Sequence, residues 1–323
     1  MKKFKKHFLP LESNGAYLFF IFIMIAALIV SIAVSIVLGS VDIKFGDVVG
    51  FLANKISGRR VVVPTWDSSI ESIIWDIRTP RVLTAFIVGA GLTLCGIVMQ
   101  ALTKNTLADP YVLGISQGAS SGAVFMIMYG SMFFYGQYGT VLGAFIGAVI
   151  SIVIALQIAK IRNKVTATQL ILAGIAVAAM FGALTNIMIY LQRTGSDKVK
   201  TAQYWMMGSL SGSTWERLVY VAIVFVVCFI VIYAIRKMLD AMLLGDDVAL
   251  TLGVNTGRLK LIMILVTTLL TGAIVSISGV IGFVGLTIPH ITRSVVGSKH
   301  TRLIPAATLV GGTFLVLADV ISR

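Results

Sequence analysis

The sequence predicts an all-α, polytopic transmembrane helical bundle, and three observations carry that prediction. The chain of 323 residues is 58% hydrophobic and 12% charged, against about a quarter charged in soluble domains. Its mean hydropathy of +0.98 leaves too little polar surface to face water. Its apolar residues lie in continuous runs, most of them long enough for the roughly 20-residue helix that crosses a bilayer core. The short alternating segments of a membrane barrel do not fit this pattern.

The runs fall at 16–39, 82–102, 111–130, 138–160, 169–191, 216–236, 258–278, 280–296 and 303–321, about nine candidate spans. The first follows "MKKFKKHF", which resembles the basic start of a signal peptide. The apolar run Tyr17–Leu38 is longer than a usual signal core and no clean cleavage site follows, so a retained helix is expected. The second and fourth runs contain "GAGLTLCG" (89–96) and "GAFIG" (143–147). Small residues on one helix face suit close packing, or a conducting surface. The segment Ala202–Leu210, "AQYWMMGSL", is too short to cross. It reads either as a re-entrant or interfacial helix with its aromatics at headgroup level, or as an irregular loop. Gly282, Gly285 and Pro289 interrupt the eighth run. This predicts a short or discontinuous helix, which survives only where other protein covers it.

The formal net charge of +13 would suggest nucleic acid in a soluble protein. Here the basic residues lie between apolar runs and no nucleic-acid partner is implied. "KKFKKH", "KIRNK" (160–164), Arg236 and Lys237, Arg258 and Lys260, then Arg293, Lys299, His300 and Arg302 occupy alternate gaps. The positive-inside rule makes those gaps cytoplasmic, with a cytoplasmic N-terminus. Loop 40–80 then lies outside, its Arg59, Arg60, Arg78 and Arg81 partly balanced by Asp42, Asp47, Asp67, Glu71 and Asp76. "SDKVK" (196–200) is outside against the trend, and Arg323 also falls outside. Either the number of spans is odd or a last helix follows. Cys95 and Cys228 each sit inside an apolar run and make no disulfide or thiolate framework.

No catalytic constellation stands out. The three histidines, His7, His290 and His300, form no HxxxH pair, and no GxxxxGK[ST] loop is present. ATP-driven motion would need another subunit to bind ATP and Mg. Two polar stretches remain. In "TKNTLADPYVLGISQGASSGA" (103–123), Asn105 and Asp109 suit a backbone turn and Pro110 the first turn of a new helix. Gly114, Ser116, Gly118, Ser120 and Gly122 keep one helix face thin. The stretch is a plain turn between helices or part of a gate. In "RKMLDAMLLGDDVALTLGVNTGRLK" (236–260), Leu243, Leu244, Val248, Ala249 and Leu252 mark an apolar face of short helices. Gly245 permits a sharp turn, Asp246 and Asp247 suit the cap of a second helix, and Gly253 with Val254 ends it. This stretch is an interfacial amphipathic helix or a docking element.

Three long motifs in order resemble the permease subunit of the ATP-binding-cassette importers for iron-siderophore, haem and vitamin B12. They are residues 78–119, beginning "RTPRVLTAF", "LLGDDVALTLGV" (243–254), and "SGVIGFVGLTIPHITRSVVGSKHTRLIP" (278–305) followed by "LADVISR". The resemblance covers almost the whole chain. It implies a single permease domain of the type II importer kind over 1–323, in a bacterial cytoplasmic membrane, with about nine of an expected ten spans. The usual "NPLADP" is "NTLADP" here, with Thr106 in place of proline. The resemblance places Asn105, Asp109, Pro110, Gly114, Ser116 and Gly118 at a gate or pathway. It makes 238–257 a coupling segment through Leu243, Leu244, Gly245, Asp246, Asp247, Leu252 and Gly253, and turns Arg78, Arg81 and Arg323 toward a binding protein. Ordinary interfacial snorkelling is the plainer reading of those arginines, and Asp319 is either a helix-end partner for one of them or exposed to water.

The implied partners are cytoplasmic ATPase subunits, a second permease copy or similar subunit, an extracytoplasmic substrate-binding protein and a metal chelate. Iron-siderophore is favoured over haem, and both over cobalamin. An ion-coupled transporter would need buried acids at midspan, whereas the acidic residues here lie in loops or at span ends. A membrane scaffold is the least favoured alternative. The orientation is testable: Asp247→Cys is expected to resist an impermeant thiol reagent added outside intact cells, and labelling from outside would invert the topology.

Overall fold

The computed structural model describes residues 11, 13–39, 41–59, 61–130, 137–160, 166–192 and 196–323. The basic N-terminal run, Arg60 and most of "KIRNK" lie outside the described residues. Among the described residues the chain is helical throughout, with no strands. The helices are α1 (Asn14–Val37), α2 (Phe45–Ser57), α3 (Ser68–Ser72), α4 (Thr79–Thr103), α5 (Ile115–Tyr129), α6 (Gln137–Ala159) and α7 (Ala167–Tyr190). There follow α8 (Asp197–Met206), α9 (Trp215–Ala234), α10 (Arg236–Leu243), α11 (Asp246–Thr251), α12 (Thr256–Ser278), α13 (Val284–Val296) and α14 (His300–Ile321).

Each of the nine apolar runs is occupied by a helix, but by length and hydropathy only seven described helices suffice to cross a membrane. The two short ones are α5, of 15 residues, and α13, of 13 residues. Both are cut at their starts by left-handed backbone. Gly114 (φ 78°) ends the 3-10 turn Pro110–Leu113 before α5 begins. Gly279 (φ 65°) and Phe283 (φ 68°) precede α13, so the eighth run is short as expected, but Gly285 and Pro289 lie inside the helix rather than interrupting it. The first part of the 202–210 segment, to Met206, belongs to α8, which starts earlier where the Ser196 hydroxyl caps it; Met207 ends the helix and Gly208 (φ 75°) turns the chain away.

Burial divides the spanning helices. In the most apolar stretch of the helix containing α4, 83% of residues are buried, against 17% in α1 and 22% in α9. Helix α4 is surrounded by α14, α13, α12 and α9, and α1 packs chiefly on α14. Lipid is as apolar as leucine, so close packing rather than water exclusion must hold such helices together. Missing side chains supply it. A Cβ at Gly96 would run into the Gly285 carbonyl of α13, and one at Gly89 into Gly311 of α14. A second group, α5–α6–α7, is closed the same way: Gly118 lies against Gly147 and Gly122 against Gly143. The glycines of the second and fourth runs therefore serve packing.

Gly96→Ala is expected to force α4 and α13 apart and destabilise the bundle by about 1–3 kcal/mol, the range for overpacking. Thermal unfolding of the purified protein in detergent checks this, and an unchanged midpoint would refute the close approach.

Candidate functional site

The turn between α4 and α5 is built from local hydrogen bonds. Lys104 adopts left-handed backbone (φ 51°) directly after α4. The Asn105 side chain accepts from the Leu107 amide (2.9 Å), and Asp109 accepts from the Tyr111 amide (2.8 Å). Burial raises the Asp109 carboxyl, and the Tyr111 bond works against that rise. Pro110 opens a 3-10 turn, so α5 starts only at Ile115, after Gly114, rather than at the proline.

The thin face beyond this turn does not line an open surface within this chain. Gly114, Ser116 and Gly118 are buried, and the Ser151 hydroxyl of α6 donates to the Gly114 carbonyl at 2.7 Å. Gly114 also abuts the Gly174 carbonyl of α7. Within this chain the small residues allow α6 and α7 to approach. Gln117, on the opposite side of α5, is exposed. It faces an open cavity of about 650 Å³ shared with Gly182, Thr185 and Asn186 of α7, Met206 of α8 and the alanines between them. The lining is neutral, with two amides and no charged side chain. This is the best candidate for a pathway surface, and sequence reasoning missed Gln117 and Asn186. The signal was an amide within each of two otherwise small and apolar runs.

The 238–257 segment forms two short helices at the end of the molecule that holds the α4–α5 turn. Gly245 (φ 119°) breaks α10 from α11, and Gly253 (φ 82°) follows α11. Leu243, Leu244, Val248, Leu250 and Leu252 are exposed, forming an unpartnered apolar surface. Ala249, expected on that face, is fully buried. Asp246 and Asp247 do not cap α11 with their side chains; Gly245 occupies the cap position. Asp247 is exposed. Asp246 instead bridges Lys104 (2.8 Å) and Lys260 (2.5 Å), and those lysine hydrogen bonds hold its carboxyl below the usual range. On α10, Asp240 accepts from both the ring Nδ1 (2.6 Å) and the backbone amide (2.9 Å) of His300. Burial pushes the Asp240 carboxyl up, but the bonds from His300 outweigh it and leave the carboxyl lowered. Lys104, Asp240, Lys260 and His300 are thus tied to this segment, a pairing no local motif announces.

The three arginines expected to face a binding protein are turned into the chain. Arg78 is 5% exposed. Its guanidinium donates to the carbonyls of Ile36 (2.7 Å), Val37 (2.6 Å) and Val41 (2.6 Å), closing the end of α1. Arg81 pairs with Asp319 at 2.8 Å, and Arg323 pairs with the same carboxylate at 2.5 Å. Arg323 also donates to the Ser35 carbonyl (2.9 Å). A carbonyl-rich helix end and a buried carboxylate satisfy these cations better than open water in a half-apolar setting. For Arg78 the expectation of a presented charge is corrected; Asp319 is the helix-end partner of the other two.

Comparison with known proteins adds to this geometry. A model of the FecCD transport family matches residues 27–323. The molybdate import permease MolB of Haemophilus influenzae is 33% identical over 78% of this chain and 74% of its own. The cobalamin import permease BtuC of Halobacterium salinarum is 38% identical over 78% of this chain and 67% of its own. Further relatives are named for haemin and ferric-citrate import. A metal-chelate type ABC transporter solved in an inward-facing conformation superimposes with a TM-score of 0.81 at 29% identity, covering 94% of this chain and 90% of the other.

The arginine cluster yields a test. Asp319→Ala leaves two guanidinium groups side by side without their shared anion, and is expected to cost about 3 kcal/mol of stability. The check is the thermal midpoint of the detergent-purified protein. A midpoint equal to wild type would show that Arg81 and Arg323 do not depend on Asp319.

Proposed function

The chain belongs to the FecCD transport family; it is a multi-pass ABC importer permease, not an enzyme, and works with ATPase and substrate-binding partners. We propose that its cargo is an iron chelate of the siderophore type, imported across the cytoplasmic membrane. The observation that carries this is the cavity of about 650 Å³ on the exposed side of α5 and α7. Its amides and small apolar groups offer hydrogen bonds and no charge. Such a wall suits a metal already enclosed by its chelator, whereas a bare oxyanion such as molybdate calls for cations. The cavity is open to one side, and a second permease copy or a similar subunit would complete it.

In this reading the end carrying α10 and α11 is cytoplasmic, and the exposed leucines 243, 244, 250 and 252 meet the ATPase. Displacement of small rigid helices then moves the spanning helices as bodies, the usual form of alternating access. Gly245 and Gly253 set the angles of those helices. Asn105, Asp109 and Pro110 form the turn linking α4 to the helix that bears Gln117. Arg81 and Arg323 contribute to a binding-protein surface through the part of Arg81 left exposed, where charge governs register and encounter rate more than affinity. A second reading, a cobalamin or haem importer, draws on the identity to permeases so named.

The cargo is tested by competition. In cells expressing this permease with its ATPase and binding protein, excess unlabelled ferric hydroxamate is expected to suppress uptake of the radiolabelled iron complex, with haemin, cyanocobalamin and molybdate ineffective. Uptake of labelled haemin or cyanocobalamin with no ferric-siderophore transport would replace the siderophore assignment with the second reading.

A further inference from the structure

We propose that Asp240 and Asp246 are positioning residues of the transport cycle, the two struts through which motion of α10 and α11 reaches the spanning helices. The inference rests on reading 238–257 as the coupling segment. That segment is flanked by freedom: an added Cβ at Gly245 or Gly253 would meet nothing within 4 Å. Leu239, Met242 and Ala249 bury against the bundle, but apolar contact is non-directional and lets a short helix slide. Directional resistance comes from charge-assisted hydrogen bonds, and this segment has them at two points.

The first point is Asp246 at the start of α11. One carboxylate oxygen forms an ion pair with Lys104, the residue that ends α4, and the other accepts a hydrogen bond from Lys260 on the second turn of α12. A single side chain thereby joins three helices. Lys104 is also held in left-handed backbone at the head of the Asn105–Pro110 turn, so a pull on it is delivered toward α5 and Gln117. The second point is Asp240 on α10. Its carboxylate takes both the backbone amide and the ring of His300, the first residue of α14. Two bonds to one residue fix direction as well as distance. A carboxylate only accepts, so Nδ1 of His300 carries the proton. The ring is fully buried and its Nε2 has no hydrogen-bond partner. Breaking this strut would leave the imidazole buried without any bond, a cost that keeps it closed while the helices move.

The test follows the cavity rather than the cargo. Gln117→Cys serves as reporter in the complete complex with its ATPase subunits in lipid vesicles; Cys95 and Cys228 are buried. Labelling by an impermeant maleimide is compared between nucleotide-free and ATP–vanadate-trapped states. D240A, which removes the one oxygen that accepts both His300 bonds, and D246N are each expected to shrink the nucleotide-dependent difference about tenfold, within the range by which single residues modulate coupling, while ATP hydrolysis continues. D246E, which keeps the charge, is expected to regain it. A purely architectural role would lower assembly and hydrolysis together and leave the difference per assembled complex intact, and that result overturns the proposal. Should D246N fail to assemble, K104Q with K260Q removes the same bridge from partly exposed lysines; should the Asp240 variant fail, H300A removes the ring bond, and each decides by the same readout. No nucleotide dependence in the parent complex overturns the coupling reading itself, and this inference with it.

Discussion

The bundle depends on how closely backbone can approach the central helix. Helix α4 is enclosed by protein along most of its length, and α13 and α14 come close to its backbone where glycine faces a carbonyl, at Gly96 with Gly285 and Gly89 with Gly311. In a bilayer no hydrophobic gain separates helix contact from lipid contact, so such approaches carry the packing. They also set what lies at the two ends of α4.

At one end Arg78 and Arg81 flank the start of α4. Arg78 ties down the carbonyls at the end of α1, and Arg81 shares Asp319 with Arg323 of α14. Removing one member of such a buried ionic group strands the others, which makes the cluster a fixed joint. At the other end Lys104 meets Asp246 next to the exposed leucines of α10 and α11. The most buried of the spanning helices thus runs between this clamp and the surface proposed to meet the ATPase.

The second glycine-closed group, α5–α6–α7, is arranged differently. Its small residues face inward and draw the three helices together, leaving Gln117 and Asn186 on the outside beside a neutral cavity. The two groups are joined through α12, which packs on α4 as well as on α5 and α6. The proposed struts at Asp240 and Asp246 join the group around α4 to the coupling segment.

The sequence by itself determined the membrane class and the position of each spanning run, because hydrophobic length and the 58% apolar composition are local properties. It also determined that the eighth run holds a short helix, and the paired short helices around Gly245, but the break falls at Gly279 and Phe283 while Gly285 and Pro289 lie inside α13. The ordered motifs carried the family. The tertiary structure alone decided partnership. Gly114 and Gly118 read equally as gate or packing until α6 and α7 were seen against them. Arg78 read as an outward charge until the end of α1 came within reach of it, 37 to 42 residues away in sequence. Asp246 read as a helix cap, yet Lys104 and Lys260 claim it from other helices. A side chain's local pattern states what it can bond to. Which groups come near enough to bond is set by long-range packing, and no local pattern records that distance.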